Sequence, residues 1–339
     1  MQIAVKPVHT ARDRPPNQGR FLTGDQPAVS DNLPVSEALR FQKRLHEGYS
    51  MTPMMSVRVL IAAVWTSMLL TACSTPVGVS RAPASVVHHD LTAYALTTGE
   101  PSAVSRIVLS RQNLLEQFDD APEQALAALH QAYVGERSLR HYAFALAELS
   151  FLHAQETHQR SYYLASALYA YAFLFPDTPG DAISPFDRSF RQACELYNRA
   201  LTDALKSADG QEVQLGSGSY ELPFGRLEVT FRDEQLLWAG HRLDHFIPVA
   251  ELEIHGIRNH YRLPGIGTPL AAAQMPLAEE HGFRVGPKLK VPVTALLRME
   301  QLRQQLVEGT VRASLELYPA MDTLSVQIGG RTVPLEIEF

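Results

Sequence analysis

Cysteine is scarce in this chain of 339 residues: Cys73 and Cys194 are the only two, which allows at most one intrachain bridge. A disulfide-stapled scaffold and a cysteine-built zinc cluster are both excluded. Tryptophan is equally rare, at two residues, and charged side chains make up only 19 per cent. No basic excess exists either. The net charge is −6 with a pI near 6.1, so the counterion-release term that drives nucleic-acid binding is missing. What remains, with 45 per cent apolar residues, is a globular composition long enough for two ordinary domains.

One short hydrophobic run stands out, between Met54 and Ser74. Arg58 supplies a positive start, and Val59 to Leu69 is apolar but shorter than the roughly 20 residues a membrane span needs. Leu70-Thr71-Ala72-Cys73 follows and resembles the lipobox of bacterial lipoproteins. The resemblance implies a secretion signal over 54–72, a diacylglyceryl group on the Cys73 thiol and cleavage before it. Ser74, in place of the aspartate that retains lipoproteins in the inner membrane, points to a lipid-anchored protein of the outer membrane. Secretion signals begin near the start of a chain, so translation is expected to begin at Met51, Met54 or Met55. Residues 1–53, rich in Pro, Arg, Gln and Asp, then read as a mis-called or disordered extension.

Beyond Cys73 the pattern predicts α+β architecture. Residues 73–104 form a tether and lead-in segment, and 105–208 an α-helical domain arranged as a bundle of helical hairpins. Ser105 to Phe118 has helical spacing, and Asp120, Pro122 and Glu123 read as an N-cap, a first-turn proline and a capping-box acid. Ser138 to Ala154 and Ser161 to Phe175 follow; the second is apolar nearly all round and is expected at the centre. Asp187 caps a helix running through Leu205, whose apolar face is expected to bury Cys194. Alanines at 143, 147, 165 and 172 resemble tetratricopeptide hairpins without keeping the 34-residue period.

Residues 209–219, polar and glycine-bearing, read as a linker to a mainly antiparallel β domain over 220–339. Arg226 to Phe231, Glu251 to Ile254 and Arg312 to Tyr318 alternate as strands do. Gly329-Gly330 between two alternating runs is a hairpin signature.

The search for chemistry finds little. Gly216-Ser217-Gly218-Ser219 lacks the strand-to-helix setting of a serine elbow and reads as linker. His241 and His245 have helical chelate spacing but strand context, where four residues span about 13 Å. His88-His89 reads as solvated, and His255 and His260 flank a loop. No metal, cofactor or catalytic residue is assigned. The segment Arg258, Asn259, His260, Tyr261 and Arg262, in a Gly/Pro-rich stretch, is the candidate interface, because guanidinium forks pair with carboxylates.

Several segments together carry a family likeness: SYYLASALYAYAFLFPD, Pro185 to Arg191 leading into Cys194 to Leu201, Phe224 to Glu228, Gly256 to Arg262, VPVTALLRM, ASLELYPAMDT and VPLEIE. On these the chain from Cys73 to Phe339 is similar to the N-terminal half of proteobacterial lipoproteins of the α/β-hydrolase superfamily. In that group the region precedes the esterase or lipase domain bearing the serine elbow. The resemblance implies a truncated or gene-split accessory half, itself non-catalytic, that holds or caps a hydrolase domain. The alternative expectation is a stand-alone envelope module that binds another protein through its helical hairpins; an enzyme of another type is the third.

Overall fold

The computed structural model describes residues 78–135, 140–178, 183–253, 261–276 and 289–338. The extension, the signal segment, Leu70 to Cys73 and Arg258, Asn259 and His260 lie outside the described residues. Residues from Arg81 to Phe339 form one compact unit. Its architecture is helices first, then a mainly antiparallel sheet.

The helices are α1 (Ala84–Thr92), α2 (Ala95–Thr98), α3 (Ala103–Arg111), α4 (Leu115–Asp120), α5 (Pro122–Gly135), α6 (Arg140–Thr157), α7 (Arg160–Leu174) and α8 (Arg188–Leu205). The single helix expected from Ser105 to Phe118 is two, because Asn113 takes the left-handed conformation at φ 55° and breaks the run. Asp120 is the last residue of α4 rather than the cap of α5; Ala121, non-helical at φ −147° and ψ 68°, separates it from Pro122. Asp187 does cap α8, accepting the Ser189 N–H at 2.9 Å.

α7 is the central helix: every residue from Leu164 to Leu174 is buried. Its small residues let α6 come close enough for the Ser166 hydroxyl to donate to the Ala147 carbonyl at 2.7 Å. α8 is two-faced, burying Ala193, Cys194, Tyr197 and Leu201 while Arg191 and Arg199 stay outside.

The strands are β1 (Gly218–Leu222), β2 (Gly225–Phe231), β3 (Leu237–Trp238), β4 (His241–Pro248), β5 (Arg262–Leu263), β6 (Thr268–Pro276), β7 (Val291–Met299), β8 (Thr310–Pro319), β9 (Ser325–Ile328), β10 (Arg331–Pro334) and β11 (Ile337–Glu338). Seven form one sheet in the order β1-β2-β8-β7-β6-β4-β3, with β2 and β8 parallel and the other neighbours antiparallel. A short helix, α9 (Leu302–Glu308), lies between β7 and β8. The strand expected at Glu251 to Ile254 does not form over its described residues, Glu251 to Glu253. Pro248 ends β4 and residues Val249–Glu251 form a 3-10 turn.

Gly329 and Gly330 turn β9 into β10 with φ of 56° and 76°, the type I′ geometry that matches strand twist and that residues with a Cβ resist. Within the expected linker, Gly218 and Ser219 already belong to β1, and buried Val213 bridges both Lys206 and Phe246.

Helices and sheet share one hydrophobic core. Two tyrosines latch them together. Tyr197 of α8 donates its hydroxyl to the Leu297 carbonyl at 2.6 Å and accepts the Leu297 N–H at 2.8 Å. Tyr171 of α7 donates to the Met299 carbonyl at 3.1 Å. Both hydroxyls meet β7, buried on both faces and therefore without alternation.

Candidate functional site

A cleft of about 530 Å³ lies where α2, α8, β5 and β11 meet. β11 pairs antiparallel with β5, setting Glu338 opposite Arg262. Of the candidate interface residues, Tyr261 and Arg262 are described; Tyr261 is exposed.

Arg262 is spent within the chain. Its Nε donates to Glu336 Oε1 at 2.5 Å, and its Nη2 lies 3.9 Å from Glu195 Oε1. Glu336 is buried, and its second oxygen accepts the Gly265 N–H at 2.7 Å. Glu195 in turn accepts from Arg191 Nε at 3.0 Å and from the Tyr94 hydroxyl. Burial, reinforced by the Glu195 carboxylate, pushes the Tyr94 phenol above its ordinary range, so it stays a proton donor.

The loop before β6 is pinned to α8 by one amide. Asn198 Nδ2 donates to the Gly265 carbonyl at 3.1 Å, while its Oδ1 accepts the Gly267 N–H at 2.7 Å. Glycine is required at 265, since a Cβ there would sit 2.3 Å from the Pro334 carbonyl oxygen.

This arrangement can hold a rigid edge and present charge, but it offers no activated nucleophile. Cys194 borders the adjoining cavity of about 170 Å³, and burial pushes its thiol up to about 12, with the Glu336 and Glu195 charges adding to the shift. Ser217 is equally committed, accepting the Phe231 N–H at 2.8 Å and donating to the Phe231 carbonyl at 3.1 Å.

His241 and His245 both lie on β4, as strand context suggested. The first is buried with its Nδ1 3.1 Å from the Ala239 carbonyl, and the second is exposed against Glu212 at 2.8 Å. The Glu212 contact raises the His245 pKa. Among the described residues no group of three or more His, Cys, Asp or Glu could hold a metal ion. None of their helices is long and apolar enough to cross a membrane.

Sequence reasoning missed three buried groups. Glu148 of α6 is fully buried and accepts from the Ala95 N–H at 2.9 Å, the Ser102 N–H at 3.0 Å, the Ser102 hydroxyl at 2.6 Å and the Ser105 hydroxyl. Burial lifts its carboxyl pKa and these donors pull it part of the way back. His130 and His153 line or abut a smaller cavity between α5, α6 and α7. A carboxylate inside an otherwise apolar helix was the available signal for Glu148.

No protein-family model, curated protein or solved structure matches this chain.

Proposed function

We propose that the chain is a lipid-anchored, non-catalytic scaffold of the bacterial envelope that holds or caps a hydrolase domain. The observation that carries this reading is the order along the chain: the lipobox at Leu70 to Cys73, then residues 74–80, then the compact unit from Arg81. A fold tethered so close to a lipidated residue works at a membrane surface, and Ser74 favours the outer membrane. The likeness to the region that precedes the catalytic domain in α/β-hydrolase lipoproteins supplies the partner's class.

The charge network at β5 and β11 supports the scaffold role. By fixing Arg262, Glu336 and the loop at Gly265, it gives Tyr261 and Arg262 a firm base for presentation. Arg262 is then a positioning residue of that contact, the exposed Tyr261 is its described member, and Arg258, Asn259 and His260 are included on their sequence alone. A second reading is a stand-alone binding module. It is favoured by α6 and α7, joined only by His158 and Gln159, which we read as a tetratricopeptide-like hairpin.

Metabolic labelling with palmitate tests the anchor: the wild-type chain should carry label and sediment with outer membranes. The Cys73→Ser form should be unlabelled and soluble. Equal membrane retention of both forms would sink the reading. Co-purification of a serine hydrolase that is lost with Tyr261→Ala would separate scaffold from stand-alone module.

A further inference from the structure

Between α5, α6 and α7, beneath the β1–β2 turn at Pro223 and Phe224, lies a cavity of about 160 Å³. A cavity of roughly this size holds a benzene-sized ligand. Part of its wall is aromatic, beside aliphatic Leu126 and Leu146 and polar Gln131 and Ser150. Tyr162, Tyr169 and Phe224 line it, and the His130 ring stacks on Phe224 with centroids 4.6 Å apart and an interplanar angle of 16°. His130 Nδ1 lies 2.7 Å from the Tyr169 hydroxyl, which fixes both rings. Burial lowers the His130 pKa, so the imidazole adds no positive charge at neutral pH.

Glu123, in the first turn of α5, is the one carboxylate among the described lining residues, and no Lys or Arg stands with it. Adjacent to it is an anomaly. His153 is buried at 4 per cent exposure, and neither ring nitrogen has a hydrogen-bond partner. Its Nε2 comes within 3.5 Å of Glu123 Oε1 without the alignment of a hydrogen bond. Its ring also stands edge-on to Tyr162, with centroids 4.4 Å apart. Buried polar groups without partners are uncommon enough to need an account.

We propose that this cavity binds a small organic cation, an alkylammonium group of three or four carbons, with Glu123 as its counter-ion and His153 as the residue that positions Glu123. The lining chemistry selects the class. Ring faces attract a cation through their quadrupoles, and a carboxylate at the same wall compounds the attraction. An anion would meet Glu123 with no basic group to offset it. A neutral alkyl ligand would gain the apolar contact alone. With the cation in place, Glu123 draws in and the short approach from His153 becomes a hydrogen bond. The proposal is independent of the lipid anchor and of any hydrolase partner.

Titration of the full chain with n-butylammonium, followed by calorimetry and by the ring-nitrogen resonances of the histidines, tests this. The expected result is saturable binding with Kd of about 1 mM and a shift of the His153 resonances. n-Butanol and butyrate, matched in size, should bind at least about tenfold more weakly. Glu123→Gln alters a mostly exposed side chain and should keep the circular dichroism and melting temperature of the wild type. It should nevertheless lose at least about tenfold in affinity and abolish the His153 shift. Phe224→Leu should weaken binding several-fold. No saturation by butylammonium up to about 50 mM in the folded wild type, equal binding of butanol, or unchanged affinity in Glu123→Gln would each overturn the proposal.

Discussion

In the cleft beside β11, Glu195 and Glu336 each meet a guanidinium and a further donor within the chain, whereas beside the α5–α7 cavity the His153 ring has no hydrogen bond. The first is the larger and more highly charged concavity, yet its Glu195 and Glu336 are both paired within the chain. The second is small, aromatic and left with an unmet polar group. Size and charge mark a structural joint here, and incomplete satisfaction marks the place where a ligand would gain most.

The contrast can be broken by removing satisfied and unsatisfied groups in turn. Glu148→Ala should have the largest effect, about 4 kcal/mol, because it strands two backbone N–H groups and two hydroxyls in the core. Urea denaturation measures it. The same carboxyl makes stability depend on pH. Its pKa is raised in the folded state, so its contribution is complete below the ordinary carboxyl range and is lost as pH rises through the raised value. The drop in stability between about pH 5 and about pH 8 should therefore be smaller in Glu148→Gln than in the wild type.

Glu336→Gln should cost about 2 kcal/mol by the same assay. It weakens one charged bond to the half-exposed Arg262 and one to the Gly265 N–H. His153→Leu should stay within about 1 kcal/mol of the wild type, since exchanging an unsatisfied ring for an apolar side chain removes no hydrogen bond. A loss as large as that of Glu336→Gln would erase the distinction between the two concavities. The smallest expected signal is chemical: Cys194 should resist a thiol-specific disulfide reagent at about pH 8 while folded and react once unfolded, because its folded pKa is about 12.

Local patterns were legible where one element decides its own conformation. Asp187 capped the helix that its position suggested, Gly329 and Gly330 made the hairpin that two positive-φ residues make, and the alternation from Arg226 to Phe231 became β2. The central strand β7 escaped notice because a strand buried on both faces is a plain apolar run without a period, and β6, with Leu270 to Ala273 between Pro269 and Gln274, shows no alternation either. Glu251 alternated with its neighbours but followed Pro248, and the turn prevailed over the pattern.

Of the candidate interface, Arg262 was visible as a basic residue in a loop, but its partner was not. Glu336 lies 74 positions away, and nothing local announces a pairing set by the topology of β5 and β11. The same holds for the tyrosine latches from α7 and α8 to β7.

The parallel register of β2 with β8, Arg226 opposite Thr310 through Phe231 opposite Leu315, has a kinetic meaning. β3, β4, β6 and β7 all come between the two in the chain, yet the β1–β2 ribbon joins the sheet only through β8. Loop-closure entropy must be overcome across that whole interval before the ribbon is secured, so sheet closure is the expected slow step of folding. Until β8 arrives, one edge of β2 stands open to strands of other chains. Its outward side chains at Arg226, Glu228 and Thr230 are charged or polar and exposed, a composition that discourages such pairing while the chain waits.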